Sequence, residues 1–142
     1  LERDKLIEFT VFLLRVVVGL LFFQHGSMKF LGWFGGMPGG EPGATAPLFT
    51  QVGLAGVLEF FGGIAIMFGL FTRTVSFILC GEMAVAYWQF HFPQGTWPIV
   101  NHGEPAVLFC FIFLFLAAYG GGNWSVDALI RRKGTKTVPD PA

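Results

Sequence analysis

The residues able to do chemistry in this chain are few, and they stand in oily surroundings. Within "LFFQHGSMKFLG" (21–32), Gln24, His25 and Lys29 interrupt a hydrophobic run. Glu59 follows in "GVLEFFGG", Glu82 in "ILCGEMAV", and His91, His102 and Glu104 in "FHFPQGTWPIVNHGEP". Arg15, in "LLRVVVG", completes the set. Each ionisable group in such a run costs about 3 kcal/mol or more unless it is paired or wetted, so each is a candidate functional residue. His25 and Lys29 lie one helical turn apart, on one side of a helix. Gln24 points elsewhere and is expected to hydrogen-bond between helices.

Three histidines and two glutamates meet the ligand count of a metal site, but no HxxxH or HExxH spacing is present and no metal is assigned. No serine or cysteine has a nucleophile motif around it. CxxC is absent, and Cys80 and Cys110 fall in opposite halves of their helices, so their pairing is not expected and both are read as core-filling side chains. An apolar pocket of Phe, Trp and Met with convergent His, Lys and Glu groups suits a quinone-like head group, with histidine and carboxylate exchanging protons. The competing reading is a lipid-filled groove whose polar groups satisfy one another.

Elements that must position these residues follow from composition. Of 142 residues, 54% are hydrophobic and 13% charged, against about 25% charged in a soluble domain. Mean hydropathy is +0.64. With 18 Phe and 4 Trp, the expected solvent is lipid. Net charge is zero, so nucleic acid is not an expected partner. A span needs roughly 20 apolar residues, and four windows qualify: 7–31, 50–71, 74–92 and 103–119. The first is longer than a signal-peptide core and contains Arg15; it is read as a retained helix, although "ATA" (44–46) resembles a cleavage site. The Gly/Pro-rich stretch 32–47, the turn "GLFTRT" (69–74) and the loop 92–105 break the windows. The expectation is one all-α domain over 1–130, an integral membrane four-helix bundle, followed by a basic, frayed cytoplasmic tail over 131–142.

Lysine and arginine set the orientation. Arg3, Lys5, Arg73, Arg131, Arg132, Lys133 and Lys136 gather on one side, which predicts cytoplasmic N and C termini in the cell inner membrane. Trp33, Trp88 and Trp97 fall on the opposite side, as an aromatic belt. Counting depth from the span ends at about 1.5 Å per residue matches Arg15 with Glu82, predicting a structural ion pair in the inner half. The candidate ligand-binding set is His25, Lys29, Glu59, His91, His102 and Glu104 near the outer face. Lys29 is expected to pair with Glu104, and His25 with Glu59.

The segments "LLRVVVGLLFFQHGSMKF", "LEFFGGIAIMFGLFTRTVSFILCGEMAVAYWQFHF" and "NHGEPAVLFCFIFLFLAAYGGGNWSVDALI" resemble the DoxX family of small four-helix membrane proteins over roughly 10–130. The ordered motifs are Arg15 with His25-Gly26 and Lys29, Glu59 before Gly62-Gly63, Gly69 before Arg73, Met83 with His91, Asn101 through Glu104, and Gly120 through Asp127. One branch of the family is associated with thiosulfate:quinone oxidoreductase, others with thiol homeostasis, oxidative stress or hydroquinone resistance. The resemblance implies a quinone-interacting oxidoreductase subunit. A second reading is a non-catalytic accessory subunit of a larger respiratory or photosynthetic complex. A third, a solute or proton pathway, would require polar residues along the whole axis, and the interior below Glu59 is apolar. Expected partners are the lipid bilayer and other membrane subunits. No haem, flavin or iron–sulfur motif occurs, so no intrinsic cofactor is expected; a quinone is the candidate bound one.

Overall fold

The computed structural model describes residues 2–135, and within them the regular structure is helical. The first helix, α1 (Glu2–Leu31), is followed by α2 (Gln51–Phe68) and α3 (Thr72–Ala86). The chain leaves α3 through a π-helical turn (Tyr87–His91) and a 3-10 turn (Phe92–Gln94). A short α4 (Pro98–Asn101), then α5 (Glu104–Tyr119) and α6 (Val126–Thr135) complete it. Helices α1 and α2 are long and apolar enough to cross a membrane; α5 is apolar but shorter.

The packing follows the glycine spacing. Helix α1 buries Arg15, Gly19, Phe22 and Gly26 along one stripe, and α2 buries Gly56, Glu59 and Gly63 against it. A Cβ on Gly26 would come within 2.1 Å of the Phe60 backbone nitrogen, so the two backbones touch there. Small residues permit this approach where lipid supplies no hydrophobic drive between helices. Helix α3 packs against both α2 and α5. The core between them is Val18, Phe22, Ile66, Leu79, Phe113 and Leu116, with Phe22 edge-on to Phe109 and Phe113.

The turns are built by local chemistry. Thr50 caps α2, its hydroxyl accepting from the Gly53 amide. Gly69 ends α2 in the left-handed conformation, φ 71°. Pro93 has no amide hydrogen and its ring displaces the carbonyl of Gln89. The helix widens there, and the Phe92 amide reaches back five residues to the Tyr87 carbonyl.

The segment after α5 folds back on α1 and on the α2–α3 turn through residues 119–127, and α6 then continues as an exposed helix to Thr135, the first part of the expected tail. The Tyr119 hydroxyl and the Asn123 amide donate to the two carboxylate oxygens of Glu8, at 2.9 and 2.6 Å. Trp124 packs edge-on to Phe9 and Phe12. Asp127 accepts from the Phe71 and Thr72 amides, at 2.7 and 2.9 Å, capping α3 from a distant segment. Residues 136–142 of the expected tail lie outside the described residues.

Candidate functional site

Arg15 and Glu82 do not pair. The Arg15 guanidinium is buried at the α2 C-terminus, where the helix dipole favours a cation. Its Nη2 donates to the Trp124 carbonyl at 2.7 Å, and its Cζ lies 5.8 Å from the Phe12 ring centre. A Cβ on Gly69 would fall 1.6 Å from Nη1, so glycine makes room for the charge. Thr72 lies at this level, bound with Phe71 to Asp127. Glu82 is ten positions further along α3, about 15 Å away in depth. Depth counted from the span start at Ile7 matches the two residues, but α1 is about 45 Å long and its first turns extend past the α2–α3 turn.

The polar pair of the core is Lys29 with Glu59. Lys29 Nζ donates to both carboxylate oxygens, at 2.6 and 2.8 Å. The antiparallel α1–α2 contact dictates this choice. Gly26 touches Phe60, and Gly56 lies against the Lys29 side chain, so Lys29 and Glu59 face each other across the seam. This corrects the expected Lys29–Glu104 and His25–Glu59 pairs. Glu104 is exposed in the first turn of α5, and Gln24 is exposed rather than bonded between helices.

Beside this pair lies a cavity of about 650 Å³ between α1, α2, α3 and the start of α5. Helix α1 presents Phe22, His25 and Lys29, at steps of three and four. Helix α3 presents Ile78, Gly81, Glu82, Val85 and Ala86, again one helical face. Helix α5 contributes Pro105, Ala106 and Phe109. At about 100° per residue, Glu104 lies off that arc, and it is the one candidate binding residue that stays outside. His25, Lys29, Glu59, His91 and His102 all line the cavity, together with Glu82.

Glu82 is the residue that sequence reasoning misplaced. Both its carboxylate oxygens are buried without a hydrogen-bond partner. Its place on the 78–81–82–85 face of α3, which helical periodicity defines, is the sequence signal for it. Two carboxyls and one lysine around one cavity leave one acidic group without a counter-charge. In apolar surroundings such a group needs a proton, a donor or a ligand.

The end of the cavity at the α3–α5 connection is held by Asn101, which is fully buried. Its amide nitrogen donates to the Gly95 carbonyl at 2.7 Å, and its oxygen accepts from the Gly103 amide at 2.8 Å. His91 Nδ1 lies 3.1 Å from the Asn101 carbonyl, and its ring stacks on Tyr87. Gln51 hydrogen-bonds Gln89, joining the start of α2 to the π-helical turn at the cavity rim. Leu54, Ile78, Val85 and Phe90 are cavity-lining yet exposed, so the opening faces sideways between α2 and α3. No group of three or more metal-ligating side chains occurs among the described residues.

Apolar perimeter, buried ion pair and laterally open cavity together define an all-helical integral membrane protein with a polar-walled site. The DoxX family model matches residues 10–92, and the chain belongs to the DoxX family. It is similar to an uncharacterized protein of Haemophilus influenzae, 40% identical over 117 residues, covering 80% of this chain and 85% of that protein. It is 31% identical to the inner membrane protein YqjF of Escherichia coli over 135 residues, 91% of this chain and 98% of that one. A Bacillus subtilis protein named "Putative oxidoreductase CatD" is 35% identical over 79 residues, covering 51% of this chain and 52% of that one. No solved structure matches the chain. The chain is an inner-membrane protein.

Proposed function

We propose that the cavity binds the head group of a quinone, and that the chain serves as a quinone-interacting subunit of a membrane oxidoreductase. The observation that carries this reading is the disposition of charge. The Lys29–Glu59 pair forms one wall, and Glu82, with neither oxygen partnered, belongs to another wall of the same cavity. Its volume of about 650 Å³ lies within the range of small-molecule sites. A quinone offers two carbonyl oxygens to donors such as Lys29 Nζ and the histidine rings, and an apolar ring to Phe22, Ala106 and Phe109. Reduction adds two electrons and two protons to the quinone. Glu82 and the histidines are suited to proton delivery, and the electrons come from a reduced donor outside the cavity. The name of the Bacillus subtilis relative agrees with this class of activity.

In this reading the chain crosses the bilayer four times, through α1, α2, α3 with its π-helical continuation, and α5. Both ends lie in the cytoplasm, because Arg3, Lys5, Arg73 and the α6 basic residues Arg131, Arg132 and Lys133 all belong to one end of the molecule.

The test is titration of a short-chain ubiquinone into the purified protein in detergent, followed by calorimetry. Gly81 lines the cavity, and a Cβ there would meet nothing within 4 Å. Gly81→Leu therefore adds bulk at the cavity wall without displacing a neighbouring atom. Binding by wild type, lost in Gly81→Leu and weakened at least tenfold in Glu82→Gln with helicity retained, supports the reading. Absence of wild-type binding moves the assignment to an accessory subunit.

A further inference from the structure

Cys80 and Cys110 come from helices α3 and α5, thirty positions apart, and the depth count placed them in opposite halves of the membrane. The structure places their sulfurs 3.7 Å apart, which corrects that expectation. Helix α5 runs antiparallel to α3, and both cysteines fall near mid-depth. The Cys110 thiol also approaches the Cys80 carbonyl, at 3.5 Å. Both are free thiols and half-buried. No metal cluster among the described residues recruits them.

We propose that Cys80 and Cys110 form a redox-active dithiol that is oxidised to a disulfide by a quinone occupying the adjacent cavity. The acceptor in this step rests on the proposed quinone site; the dithiol rests on the sulfur geometry alone. The step balances without a further reagent. Two S–H bonds break and one S–S bond forms. The two electrons and two protons pass to the quinone, whose two carbonyl oxygens become the hydroxyls of a hydroquinone.

Geometry favours the bridge. A disulfide requires an S–S distance of about 2.05 Å, so the sulfurs must approach by about 1.7 Å. Neither sulfur lines the cavity; the pair stands behind its wall, on the two helices that supply much of its lining. Gly81 and Glu82 follow Cys80 and line the cavity. Ala106, which lines it too, is one turn before Cys110 on the same face of α5. The bridge ties α3 to α5, and both helices contribute to the cavity wall, so the oxidised and reduced forms differ in the freedom of two of its walls.

The experiment uses the full chain in lipid nanodiscs, reduced and then treated in two arms. Diamide reports whether the sulfurs can bridge at all. A fully substituted short-chain ubiquinone, which cannot arylate a thiol, reports whether quinone is the oxidant. The readouts are the Cys80–Cys110-linked peptide by mass spectrometry and hydroquinone formed per protein by absorbance. The expected result is bridging in both arms, with one hydroquinone per disulfide. Cys80→Ala and Cys110→Ala each abolish both products. Gly81→Leu abolishes the quinone arm but keeps the diamide arm.

Failure of diamide to produce the linked peptide overturns the dithiol, whatever the cavity binds. Diamide bridging with quinone bound calorimetrically but no hydroquinone formed also overturns the proposal and leaves the quinone site standing. Diamide bridging without any quinone binding overturns both the quinone site and the oxidation step assigned to it.

Discussion

Replacing Lys29 by methionine isolates the energetics of the site. The Glu59 side chain is 4% exposed and that of Lys29 19%, so the pair is desolvated on the carboxylate side and partly open to the cavity on the ammonium side. Lys29→Met removes both donors, at 2.6 and 2.8 Å, from a buried acid. Breaking one partner of a buried pair costs about 3–5 kcal/mol. The lysine's opening to the cavity places the expectation at the lower end, about 3 kcal/mol, or roughly two orders of magnitude in the unfolding equilibrium. The double change Lys29→Met with Glu59→Gln removes the stranded charge and should return stability to within about 1 kcal/mol of wild type, since a matched neutral pair can replace a buried ionic one. The assay is unfolding in mixed micelles of increasing denaturing detergent, followed by circular dichroism. Glu104→Gln is the control; exposed and outside the cavity, it should change stability by less than about 0.5 kcal/mol. The reasoning is refuted if Lys29→Met matches wild type, if the double variant is as unstable as the single, or if Glu104→Gln reproduces the loss.

Asp127→Ala should destabilise the protein by about 1–2 kcal/mol, as loss of a helix cap does, because the Phe71 and Thr72 amides at the start of α3 lose their acceptor; Asp127→Asn, which keeps one acceptor oxygen, should recover about half, by the same unfolding assay. Topology is checked by accessibility in oriented membranes. A cysteine at Gly40 should label only from outside and one at Thr135 only from inside, in a background lacking Cys80 and Cys110; labelling of both from one side rejects four crossings.

Much of the architecture was legible because membrane helices advertise themselves. Runs of apolar residues located every major helix to within a few positions, and the breakers at Gly69 and Pro93 marked real ends. The stripe Arg15–Gly19–Phe22–Gly26 and the set Gly56–Glu59–Gly63 were readable as packing faces, since helical periodicity is a one-dimensional property. Five of the six candidate binding residues line one cavity; His25, Lys29 and Glu59 lie on helical faces, whereas His91 and His102 reach it from the turns between α3 and α5. The short apolar segment of α6 gave no such signal. It folds back through single contacts, Glu8 to Asn123 and Asp127 to the α3 start, that no periodicity encodes.

By itself, the sequence determined that this is a helical protein made for lipid, which residues share a packing face on α1 and on α2, and which few ionisable groups the apolar runs carry. It could not determine who meets whom, because partners depend on the axial offset between helices. That offset is set by where backbones touch. Gly26 against Phe60 fixes the level of α1 on α2, and so selects Glu59 rather than Glu104 for Lys29. The same contact carries α1 past the α2–α3 turn, leaving Arg15 at the α2 C-terminus and Glu82 without a partner. A shift of one turn moves a side chain by about 5.4 Å, more than the length of a salt bridge or the separation of two thiols. Only the tertiary structure therefore decided the pairing of Lys29 with Glu59, the isolation of Glu82 and the meeting of Cys80 with Cys110.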